Sequence, residues 1–227
     1  MFSQLLAIFR NTFVESIRQP IAIVVIIACK LAVILLFIPL GLSTLLLGGL
    51  FLAGFTATGV VSLEIENKTA LTVVSKPVTR PLFILGKYLG VSAALLLVMW
   101  PMICNLVIWA RHGVMQTAAT PYDWPVITFY LLAFLSALFI SLMLNYLYRW
   151  PFVSTYIWTL NITMTLALIL VLVVDKNWGL QSITHEFTHA ESPISRFTTA
   201  ILLLLETLLI FCAIAVALST RLGQVLT

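Results

Sequence analysis

The segment with the most chemical potential is His185-Glu-Phe-Thr-His189. On a helix, histidines four residues apart share a face and can ligate zinc together, with Glu186 between them as general base for hydrolysis. Several features weigh against such a centre. A catalytic zinc needs a third protein ligand, and the remaining histidine, His112, lies far upstream at no ligand spacing. Glu191 stands where such helices continue apolar, and Pro193 is expected to stop the helix. Leu180, Ile183, Phe187 and Ile194 make an apolar stripe, so residues 181–195 also read as a helix lying at the membrane surface with its histidines toward water. The expectation is therefore no bound metal, with His185, Glu186 and His189 as the alternative zinc set.

Lys30 and Glu206 stand out because everything around them is apolar. Each is about ten residues into its hydrophobic run, which at 1.5 Å per residue puts both about 15 Å deep. An ion pair between them is the least costly arrangement for two charges in hydrocarbon. The competing arrangement has Lys30 reaching back to the interface and Glu206 neutral or bonded to a hydroxyl.

That depth is a membrane depth because of the composition. Of 227 residues 62% are hydrophobic and 9% charged, with a mean hydropathy of +1.13, whereas soluble domains carry roughly 25% charged residues. A bilayer core needs about 20 apolar residues per span. The apolar runs, interrupted only by Lys30, Lys87 and Glu206, give spans at 21–38, 42–62, 84–110, 126–148, 152–174 and 197–219, the first two separated by Pro39-Leu-Gly41. The runs are apolar all round rather than alternating, which selects helices over a β-barrel. Cys29, Cys104 and Cys212 fall inside spans and read as packing residues rather than a disulfide framework. No cleavable signal peptide is expected at the N-terminus.

Positive charge sets the orientation. With the N-terminus inside, Arg10, Arg18, Lys68, Lys76, Arg80, Lys87, Arg149 and Arg221 lie on the cytoplasmic side, against Arg111, Lys176 and Arg196 outside. Both termini are thus expected in the cytoplasm, the chain residing in the cytoplasmic membrane. Trp109, Trp124, Trp150 and Trp178 sit near span ends as interfacial anchors. Phe2, Leu5, Phe9, Phe13 and Ile17 recur at three- and four-residue steps opposite Gln4, Asn11, Glu15 and Arg18, so residues 1–20 form an amphipathic helix in the cytoplasmic interface, ended by Pro20.

The connection at 63–83 is long and polar. Glu64, Glu66 and Lys68 open it, residues 70–74 are small and apolar, and Lys76 and Arg80 flank a proline-bounded turn. This mixture suits a docking element for a soluble protein, or a solvated loop. Together, Phe13-Val-Glu-Ser-Ile-Arg-Gln-Pro20, Glu64-Ile-Glu-Asn-Lys-Thr69, Ser75-Lys-Pro-Val-Thr-Arg80 and Gly86-Lys87 resemble the permease subunits of ABC-2 type transporters, most of all the group that includes the nitrous-oxide-reductase accessory permease. One departure is Asn67-Lys-Thr-Ala70, where relatives often carry Gly-Thr.

The resemblance covers the whole chain. It implies an all-α membrane protein of the ABC-2 (type V) exporter kind: an elbow helix, six transmembrane helices, a coupling helix in the 63–83 loop, and a short outer helix within 175–196. It also implies that Glu64, Glu66, Lys68, Lys76 and Arg80 dock an ATP-binding subunit, and that a second permease copy or homologue completes the pathway. The chain carries no phosphate-binding loop, since Gly86-Lys87 lacks the upstream glycine and is followed by Tyr88. ATP and Mg would therefore belong to the partner, and this chain is expected to have no cofactor and no enzymatic activity of its own.

Gly49, Ala53 and Ala57 at four-residue steps suit close helix approach. Ser154, Asn161 and Thr165, with Thr155, Thr159 and Thr163 beside them, make a polar face that suits either a pathway or interhelical bonding. Pro101 and Asn105 are expected to kink the third span. The functional expectation is a permease subunit of an ATP-driven exporter or flippase in contact with lipid and without nucleic acid. A non-transporting membrane assembly subunit is the alternative, and a zinc protease a third.

Overall fold

The computed structural model describes residues 2–66, 79–112, 122–182 and 193–219, with side chains at 35–39, 60–66, 80, 112 and 193–197 left aside. The described residues form six helices and no strand: α1 Phe2–Ile17, α2 Pro20–Glu66, α3 Arg80–His112, α4 Trp124–Tyr148, α5 Phe152–Val173 and α6 Pro193–Ser219. Five segments are long and apolar enough to cross a membrane: Leu40–Gly59, Pro81–Arg111, Trp124–Tyr148, Phe152–Val173 and Thr198–Ser219. This is a multi-pass helical membrane protein.

At 47 residues, α2 would reach about 70 Å if straight, more than twice a bilayer core. It folds back instead. The Cys29 thiol lies 3.7 Å from the Thr44 carbonyl oxygen, a pair that a straight helix would hold about 22 Å apart. Val25 and Cys29 likewise close on Gly48, and Gln19 on Gly59. The arms 20–34 and 40–59 therefore run antiparallel, and the reversal falls beside Pro39. The expected break is there, although helical backbone continues through it.

Helix α3 is the axis of the bundle. Its apolar residues are covered on most sides, among them Val91, Leu95, Met99, Met102 and Leu106. Gly86 and Gly90 let α1 lie along its first turns, with Ile8 against Gly86 and Thr12 against Gly90. Gly41 receives Leu106 and Gly49 receives Leu208, seating both α2 and α6. Lipid is as apolar as a leucine side chain, so close approach of this kind, rather than release of water, must hold membrane helices together. Helix α3 runs through Pro101 without a break.

Helices α4 and α5 form a hairpin joined through Arg149, which closes α4 in the left-handed region at φ 54°. Ala133, Ala137 and Ser141 give α4 a narrow buried stripe toward α5. Ser141 Oγ and Thr159 Oγ1 share a hydrogen bond of 2.7 Å between the two.

Two expectations need correction. In α1 the most deeply covered residues are Thr12, Ser16 and Ile17, whereas Phe2 is 79% exposed. Small hydroxyl residues fit beneath the Gly90 backbone where phenylalanine would not. The outer helix expected at 181–195 falls for the most part on residues 183–192, outside the described residues; just before it, Val174 and Leu180 pair as a bridge, and the Gln181 N–H donates to the Val173 carbonyl at 2.8 Å. Pro193 opens α6, as suits a residue with no N–H to give in a first turn. The polar connection also shortens, since Glu64 and Glu66 fall in the last turns of α2 and Arg80 opens α3.

Candidate functional site

Three polar regions bear on function, and they lie at different levels of the bundle. The first is the base, where α1 meets α2 and α3. Helix α1 and the first arm of α2 meet at a 55° bend. Arg18 and Gln19 N–H groups donate to the Glu15 and Ser16 carbonyls across it. Ser16 Oγ caps inward on the Thr12 carbonyl at 2.8 Å. Gln19 reaches Gly59 near the end of the second α2 arm. Lys87 is buried in the same region with its ammonium 5.7 Å from the Phe83 ring. The elbow thus grips the helices on both sides of the 67–79 connection. Of the residues expected to dock a partner, Glu64, Glu66 and Arg80 lie on the helix ends bordering that connection, and Lys68 and Lys76 lie outside the described residues.

The second region is at mid-bundle. Lys30 lies on the stripe Ala22, Val25, Ile26, Cys29, Lys30, Val33 that α2 turns inward, and is 3% exposed. Its ammonium sits 5.2 Å from the Tyr130 ring and 5.9 Å from the Phe134 ring and has no hydrogen-bond partner among the described residues. A cation over aromatic faces gains from the ring quadrupole, more so when desolvated. Trp109 meets Tyr130 edge-on at 5.5 Å. One turn before it on α3, Asn105 is buried with neither amide atom bonded.

Glu206 is elsewhere. It is exposed on the side of α6 turned away from the core, while Leu204, Leu208 and Cys212 face in. The expected Lys30–Glu206 pair is therefore not made. Lys30 is buried inside the bundle, whereas Glu206 is exposed on its outside.

The third region is the far end. Arg111 Nε approaches Asp123 Oδ2 at 3.9 Å, with both side chains almost fully buried. Arg111 Nη2 donates to the Val174 carbonyl at 2.7 Å. Asp123 Oδ1 accepts from the Val126 N–H at 3.4 Å, capping α4. Sequence reasoning missed this pair. Its signal was Asp123 before Trp124-Pro125, an N-cap followed by proline in the first turn.

The remaining candidate residues make contacts within the chain. Gly49, Ala53 and Ala57 are buried within this chain, Gly49 beneath Leu208. Ser154 and Asn161 bond to the carbonyls of Pro151 and Ile157 in or next to their own helix. Thr165 accepts from Trp100 Nε1 at 2.8 Å and donates to the Asn161 carbonyl, so it ties α5 to α3. A groove of about 380 Å³ opens between α2 and α6, lined by Leu47, Phe51, Gly54, Phe55, Thr58 and Phe211 among others. It is apolar apart from Thr58.

His185, Glu186 and His189 lie outside the described residues. Among the described residues no three His, Cys, Asp or Glu side chains cluster as a metal site would require.

No protein-family model, curated protein or solved structure matches this chain.

Proposed function

We propose that the chain is the permease subunit of a two-component ATP-driven exporter or flippase. It crosses the membrane six times, with both termini cytoplasmic. In this reading the first α2 arm is the span added to the five longer segments. A separate ATP-binding subunit docks at the 67–79 connection and its borders, through Glu64, Glu66, Lys68, Lys76 and Arg80. The single observation that carries the reading is the elbow: α1 packs along Gly86 and Gly90 of α3 while Gln19 touches Gly59 of α2. A push on the connection is thereby delivered to α1, α2 and α3 together, as a rigid-body tilt requires. Such a grip has no evident use in a chain that only anchors other proteins.

The test is to purify the chain from the membranes of its own host and reconstitute it in liposomes. A stoichiometric ATPase carrying a phosphate-binding loop should accompany it, and its hydrolysis should depend on the permease. In the E64A/E66A variant, hydrolysis should uncouple while membrane insertion is unchanged. Purification to homogeneity with full stability and no ATPase would reject the transporter reading in favour of an assembly subunit.

A further inference from the structure

We infer that Lys30 and Asn105 together hold one buried water molecule at mid-bundle, so that α2 and α3 are joined there through a polar ligand. Lys30 is 3% exposed and Asn105 1%. Three of their polar atoms, Lys30 Nζ with Asn105 Oδ1 and Nδ2, make no hydrogen bond among the described residues. An unbonded polar atom sealed from water carries the full cost of its desolvation.

The two residues come from different helices, and the packing around them sets them at one level. Arg111 and Asp123 join the end of α3 to the start of α4, so these helices run antiparallel, and Trp109 meets Tyr130 edge-on between them. One turn further into the membrane from that contact lie Asn105 on α3 and Phe134 on α4. Lys30 Nζ is 5.2 Å from the Tyr130 ring and 5.9 Å from the Phe134 ring, which places it at the height of Asn105. Cys29 and Met102 both close on Gly48, holding the first α2 arm against α3 one turn before Asn105. Lys30 also lies within electrostatic reach of Cys104, the residue beside Asn105.

The orphan atoms select the ligand. The Tyr130 and Phe134 rings offer Lys30 their faces, but not the lone pair of a hydrogen-bond acceptor. The site presents N–H donors from Lys30 and Asn105 and one carbonyl acceptor from Asn105. Chloride or a carboxylate would take the donors and leave Asn105 Oδ1 stranded. Water accepts from both nitrogens and donates to the oxygen, and about three such bonds are what a buried water makes. The match holds whether Lys30 is an ammonium or an amine, since both carry N–H groups.

The test is X-ray hydroxyl-radical labelling of the full-length chain in lipid nanodiscs, in heavy-oxygen water, read by mass spectrometry. Radicals form where water stands, so a buried side chain near a bound water is oxidised while one without is spared. Cys104 and Cys212 are both fully buried and serve as matched reporters, Cys212 lying apart from the site against Ser92. Cys104 should be oxidised severalfold faster than Cys212. In the K30M/N105L variant, Cys104 and Tyr130 should lose this labelling, while Cys212 stays unchanged and reports that the fold is kept. The parent comparison decides without any variant: equal labelling of the two cysteines overturns the assignment. Cys104 labelling that survives the double substitution overturns it too. Thermal stabilisation of the parent by chloride over gluconate at equal ionic strength, lost in K30M, would assign an anion in place of water. None of these outcomes depends on an ATPase, so the transporter reading stands or falls separately.

Discussion

Arg111 and Asp123 join the end of α3 to the start of α4, and through the Val174 carbonyl to the end of α5. Both side chains are nearly sealed from solvent, so removing either strands a buried charge. Arg111→Met or Asp123→Ala should each cost about 3–5 kcal/mol. The double substitution should cost less than the sum. Asp123→Asn keeps the cap on Val126 and should fall between. Thermal unfolding in detergent reads all four variants.

Gly90 and Gly54 are both helical glycines and should respond oppositely to alanine. A Cβ on Gly90 would lie 2.6 Å from Thr12 Cβ and 2.9 Å from the Phe9 carbonyl oxygen, whereas nothing lies within 4 Å of one on Gly54. Backbone cannot yield as a flexible side chain can, so Gly90→Ala should destabilise by about 1–3 kcal/mol and loosen α1 from α3. Gly54→Ala should be neutral or gain up to about 1 kcal/mol of helix propensity. Protease accessibility of α1 distinguishes local undocking from global unfolding.

Thr159 and Thr163 test what the α5 hydroxyls do. Thr159 Oγ1 meets Ser141 of α4, while Thr163 Oγ1 reaches only the Leu160 carbonyl of its own helix. Thr159→Val should cost about 0.6 kcal/mol and no more than roughly 1.7. Thr163→Val should cost nothing measurable in the same unfolding assay.

Five of the spans were legible because length and apolar composition are properties of the chain alone, and Pro39 marked the reversal of α2. The direction of each helix face was not. Helix α2 is apolar all round, so no polar stripe tells which side of Lys30 meets lipid and which meets Tyr130. Helix α6 has the same ambiguity at Glu206. Matching depths therefore suggested a pair that the burial of Lys30 and the exposure of Glu206 forbid. The Arg111–Asp123 pair was missed for the converse reason: Arg111 read only as an outer-side charge, and only the tertiary fold shows that Asp123 and the Val174 carbonyl come to it.

The histidine pattern remains a sequence feature with a direct check. His185→Ala combined with His189→Ala should leave stability and any transport unchanged. Zinc measured by elemental analysis should be substoichiometric in both parent and variant. Stoichiometric zinc lost in the variant together with a peptidase activity would restore the protease reading.

Lys30 offers the sharpest test of the packing at mid-bundle. Its ammonium lies 5.2 Å from the Tyr130 ring and 5.9 Å from the Phe134 ring, while Glu206 is exposed on the outside of α6. Lys30→Met keeps the length of the chain, removes a buried charge and strands no acid. It should be neutral or stabilising, as apolar replacements of buried charges often are. Lys30→Ala opens a cavity against Tyr130 and should cost about 2–5 kcal/mol. If the rings hold a cation, Tyr130→Leu should lose up to about 2 kcal/mol more with Lys30 in place than in the K30M background. With Glu206→Gln, Lys30→Met should be additive within about 0.5 kcal/mol, because the two share no contact. Recovery of stability in that double variant would mean that the two side chains meet after all.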